Sequence, residues 1–153
     1  MALTVIIVLY ISIGLMSAVG TIFIVRRLFS DRTEQIFFGL FLVLIAAFYL
    51  AFVVYFGNRE VWPLEATAVV LFTILGILGC RITALLVIGY FLHGVWDLLH
   101  ELPNYANVQL SGDRLTEIPM AYGIFCATYD WCMAIYFCIR RNAWHTAWAE
   151  RAG

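Results

Sequence analysis

Lysine is absent from the chain, and charge of any kind is scarce. Charged residues are 12% of the 153, where a soluble domain carries about a quarter. Nine arginines against ten acids leave a formal net charge of −1. There is no basic block and no acidic tail, which argues against a nucleic-acid partner. The four cysteines, Cys80, Cys126, Cys132 and Cys138, form no Cys-x-x-Cys pair. That argues against a zinc knuckle or a disulfide framework, and they read as small buried hydrophobes.

Apolar runs fill the space that charge leaves. The chain is 64% hydrophobic, with a mean hydropathy of +0.93. Such a chain cannot be soluble and monomeric; it reads as one integral membrane domain over residues 1–153. The expected architecture is all-α, a bundle of five transmembrane helices over 3–25, 36–56, 62–78, 82–101 and 118–139. The first run follows Met1-Ala2-Leu3-Thr4, which has no positive side chain, and it is too long for a signal peptide. Residues 26–35 read as a polar connection, and Gly57-Asn58-Arg59-Glu60 as a tight turn. Trp62-Pro63 opens the third helix and Pro119 falls in the first turn of the fifth. Between Val61 and Leu102 the apolar stretch is about twice the length of one span. The segment Gly76-Ile77-Leu78-Gly79-Cys80-Arg81 splits it. Residues 101–117 read as a polar loop, with Pro103, Asn104, Asn107, Gly112 and Asp113. Arg140-Arg141 precedes a short tail.

The arginines test this division. With five helices and the start outside, Arg26, Arg27, Arg32, Arg81, Arg140, Arg141 and Arg151 lie inside, and Arg59 and Arg114 outside. Four helices would strand Arg81 within a span and split the rest evenly. The expectation is therefore an outside N-terminus and a cytoplasmic C-terminus, in a bacterial inner membrane. Trp62, Trp96 and Tyr55 at one interface, and Trp144 and Trp148 at the other, read as aromatic belts.

Five costly residues fall at similar depth. His93, Asp97 and His100 are spaced i, i+4, i+7, which puts them on one stripe of the fourth helix. Counting back from Leu102, His93 is about 13 Å deep. Glu65 sits about one turn into the third helix, and Asp130 about 18 Å along the fifth. Ionisable groups in such runs mark functional sites by default. Each also has an ordinary structural role open to it. His93 can be a bonded core histidine, His100 and Glu101 can be interfacial, and Glu65 can stabilise a helix N-terminus. Asp130 is hardest to explain that way, because a mid-membrane carboxylate must be neutralised, protonated or paired. Gly123, Ala127 and Ala134 flank it and let the fifth helix press on the fourth.

Several chemistries fit the set. His93, Asp97 and His100 could ligate a divalent metal, zinc or iron, with Glu65 or Asp130 completing the shell or acting as base. Without metal, His93 and Asp130 form an acid/base pair, with Glu65 assisting. Tyr122, Cys126 and Tyr129 share one face of the fifth helix. A nucleophilic Cys126 would need an electropositive, partly wet site that only His93 supplies. His93 and His100 lie on one helix, so a haem or chlorin would need a ligand from another.

The run His93-Gly94-Val95-Trp96-Asp97-Leu98-Leu99-His100, followed by Pro119, Tyr122, Cys126, Tyr129 and Asp130, resembles small bacterial multi-span proteins of unknown function. That resemblance covers about the last third of the chain and implies only that these positions belong together. His93-Gly94 with Asp97 is similar to the His-Gly-x-x-Asp element of membrane carotenoid-cleaving oxygenases, which are longer and carry further histidines. The His-x-x-x-acid pair also resembles emopamil-binding sterol isomerases, which have Glu where Asp97 stands.

The leading functional expectation is a membrane-embedded enzyme, metal-dependent or metal-free, on a lipidic or isoprenoid-like substrate. Its partners would be membrane lipid and an apolar small molecule. The alternatives are a subunit of a membrane complex or homo-oligomer, holding pigment or haem, and a small transporter or proton relay. The last is weakened by the lack of an internal repeat.

Overall fold

A computed structural model describes residues 2–57, 59–106 and 115–150. Among these are five long helices: α1 Ala2–Leu28, α2 Asp31–Phe56, α3 Trp62–Gly79, α4 Thr83–Ala106 and α5 Tyr122–Ala149. Each is long and apolar enough to cross a membrane. No strand occurs among the described residues.

Several helix ends run past the expected limits, and α5 begins later than expected. The connection expected over 26–35 shrinks to Phe29 and Ser30, because Ser30 caps α2 by accepting from the Thr33 N–H. Gly76 is not part of the α3–α4 turn. A Cβ on Gly76 would stand 2.5 Å from the Gly39 carbonyl oxygen, and one on Gly39 would stand 2.5 Å from the Gly76 oxygen. These two glycines let α2 and α3 cross at backbone distance. α4 continues through Pro103 to Ala106, where a loop is expected, while α5 begins at Tyr122, after Pro119 rather than around it. Asn58, Asn107, Gly112, Asp113, Arg114 and Arg151 lie outside the described residues.

The expected tail is the last turns of α5, held by buried polar groups at the start of α2. Glu34 accepts from Tyr136, from Arg140 at 2.9 Å and from the Trp144 indole at 2.9 Å. Gln35 donates to the Gly79 carbonyl, ending α3, and accepts from Trp148. The Arg81 guanidinium lies 4.3 Å over the Trp148 ring. Trp144 is therefore core and Trp148 half-buried, not a lipid-facing belt. The cysteines are also less buried than expected: three are half-buried and Cys138 is exposed. In lipid an outward thiol costs little, so burial is not needed to hide it.

α4 and α5 pack most closely, α2 pairs with α3, and α1 lies along α5 while barely touching α2. Phe38, Leu42, Tyr90, Met133 and Phe137 fill the core between α2, α4 and α5. Val5, Met16, Val19 and Ile139 stand exposed on the outer faces, as lipid contact requires. The looseness of α1 against α2 leaves a gap over the polar centre of the bundle.

Candidate functional site

His93, Asp97 and Asp130 meet at the α4–α5 contact, each at most 2% exposed. His93 Nδ1 lies 2.7 Å from Asp130 Oδ2 and 3.2 Å from Asp97 Oδ2. The i, i+4 spacing on α4 supplies the first two residues. Asp130 arrives because α5 can come close. A Cβ on Gly123 would stand 2.4 Å from the Asp97 carbonyl oxygen, so no larger residue fits there. The other oxygen of Asp97 accepts from the Tyr49 hydroxyl of α2. Phe72 packs edge-on to the imidazole, with centroids 4.9 Å apart.

Four buried polar atoms here have no hydrogen-bond partner: His93 Nε2, Asp97 Oδ2, Asp130 Oδ1 and the Tyr129 hydroxyl. Unmet polar atoms in an apolar interior are costly and need a reason. Beside them is a cavity of about 250 Å³. Its floor is His93, Asp97, Cys126 and Asp130. Its walls are Ser17 and Thr21 of α1, Phe41, Ile45, Phe48 and Tyr49 of α2, and Tyr122, Phe125 and Tyr129 of α5. The cavity is thus a slot between α1 and α2, polar at its base and aromatic at its walls.

The expected set divides in two. His100 does not join His93 and Asp97. Its Nε2 bonds Glu65 at 2.8 Å and its Nδ1 bonds the Trp96 carbonyl at 2.8 Å, so both ring nitrogens are occupied. Glu65 also accepts from the Thr116 N–H at 3.0 Å. Glu65 and His100 thus fasten the segment before α5 to α3 and α4. The Tyr49 ring lies between the two groups, 4.5 Å from the His100 ring and 5.9 Å from that of His93, centroid to centroid.

Two contributors escape a reading of the sequence. Tyr49 is one aromatic among many in α2, with no local mark of its role. Glu101 ends an apolar run and so reads as interfacial, yet it is buried. Its two oxygens accept from the Ala121 and Gly123 N–H groups at 2.8 and 2.9 Å. That carboxylate caps α5 and holds Ala121 at a left-handed φ of 62°. Ser17 and Thr21, one turn apart on α1, are the signal in the sequence that could have pointed to the slot.

The full set of described helices, apart from the two ends, is covered by one family pattern, matched over residues 5–143. The chain belongs to DUF6010, a family of unknown function. No curated protein and no solved structure matches it. Chemically, the buried His93, Asp97 and Asp130 could hold a metal ion or exchange protons with a molecule in the slot.

Proposed function

We propose that the protein takes a lipidic or isoprenoid-like molecule from the bilayer into the slot and acts on it through His93 and Asp130 as an acid/base pair. The observation that carries this reading is the opening of a buried, incompletely bonded His/Asp group onto an aromatic slot between α1 and α2. Ligand sites are mostly apolar with a few convergent polar groups, and this cavity has that make-up. Asp97, itself held by the Tyr49 hydroxyl, orients the imidazole. At about 250 Å³ the slot has room for roughly eight water-sized groups, which suits a chain or one ring system better than a macrocycle.

Lipid extracts of membranes holding the wild type or Asp130→Asn test the reaction, with native mass spectrometry of both proteins. The wild type is expected to retain one apolar molecule per chain. Asp130→Asn is expected to accumulate a lipid that the wild type converts. Thr21→Trp, which fills the slot, is expected to hold nothing. Identical lipid profiles together with no retained molecule would overturn the reading.

A further inference from the structure

The charge of the group points to an occupant of its own. With both carboxylates ionised and the imidazole neutral the group would carry −2, and one proton would still leave −1 within the bilayer. No arginine among the described residues bonds any of the three; Arg140, the arginine found paired, is held by Asp31 and Glu34. Tyr49 gives Asp97 a hydrogen bond but no charge. An unbalanced charge at this depth is costly.

The geometry points to a divalent transition-metal cation, of the zinc or ferrous class, bound by His93, Asp97 and Asp130. One ligand atom from each residue lies within 4.8 Å of the others, the spread that a single ion can gather. One imidazole with two carboxylates is a mixed nitrogen and oxygen set, suited to zinc, iron or manganese rather than to calcium, which takes six to eight oxygens. The cation brings the group to neutrality. It would also satisfy Asp130 Oδ1, which has no hydrogen-bond partner, and Asp97 Oδ2, which otherwise shares the imidazole Nδ1 with Asp130 at 3.2 Å. Three protein ligands leave a coordination position for water or a substrate oxygen, the mark of catalytic rather than structural metal sites. The slot borders all three ligands, so a molecule held there would lie beside the ion. His100 is outside this set because Glu65 and Trp96 occupy its nitrogens. The inference rests on the reading of this group as the working site; in the loaded protein His93 and Asp130 would serve as ligands of the ion rather than as the acid/base pair itself.

Full-length protein in detergent, stripped with chelator and reloaded with zinc, iron(II) or manganese, tests it by metal counting and by Tm. One ion per chain and a raised Tm are expected with at least one of the three. Asp97→Asn and Asp130→Asn keep the side-chain shape, and each is expected to weaken retention by about tenfold or more, since even outer partners of a metal cost that much. Glu65→Gln is expected to retain the ion. Absence of a stoichiometric ion in the wild type overturns the inference, as does unchanged retention in Asp130→Asn. An apolar molecule bound to metal-free protein would then leave the lipid reading standing. A bound ion with no apolar molecule would sink the lipid reading alone.

Discussion

At the scale of the residue, His93 and Asp130 stood out because each is an ionisable group in an apolar run, where burial demands a partner. Their partnership was legible by depth. What could not be read was the choice between His100 and Asp130 as the third member. Helical spacing places His93, Asp97 and His100 on one stripe, but a ring nitrogen bonds whatever the neighbouring helix offers, and α3 offers Glu65. Tyr49 was hidden by its aromatic neighbours. The group should trade stability for use. His93→Leu leaves two buried carboxylates without their partner and is expected to cost about 3–5 kcal/mol. The triple variant His93→Leu, Asp97→Leu, Asp130→Leu is expected to recover most of that loss in a thermal melt, while holding neither ion nor lipid. A triple variant less stable than His93→Leu alone would show that the group merely ties α4 to α5.

At the scale of the element, all five helices were legible from length and hydropathy, and their ends were not. Apolar pattern marks where a helix enters lipid, but the helix stops where its last backbone groups find partners. α2 starts at Asp31 because Ser30 caps it, and α5 starts at Tyr122 because Glu101 reaches its first N–H groups. Glu101→Ala removes two buried hydrogen bonds at that cap, an expected loss of about 2 kcal/mol. Amide exchange should quicken in the first turn of α5 before it changes elsewhere. Gly123→Ala sets a methyl group against the Asp97 backbone, and the strain is expected to cost about 3 kcal/mol. Since that clash separates α5 from α4, the ion and lipid should be lost with it; a variant as stable as the wild type would contradict the close packing of the two helices.

At the scale of the whole molecule, the odd number of helices follows from the split at Gly79-Cys80-Arg81, and Arg32, Arg81 and Arg140 gather at the end where the start of α2 meets the last turns of α5. The positive-inside rule expects that end to face the cytoplasm. A reporter fused to the C-terminus should be active only inside, and activity outside would reverse the topology. The slot was the feature least legible in sequence, because Ser17 and Thr21 mark a polar turn of α1 without showing how loosely α1 sits against α2. Photolabelling in native membranes tests it most directly, using an isoprenol that carries a diazirine, with modified residues located by mass spectrometry. The expected label falls on the slot walls, Phe41, Phe48, Phe125 and Tyr129. It is expected to be lost in Thr21→Trp. Label spread evenly over outer-face residues such as Val19, Ile88 and Ile135, and unchanged in Thr21→Trp, would contradict a lipid site at His93 and Asp130.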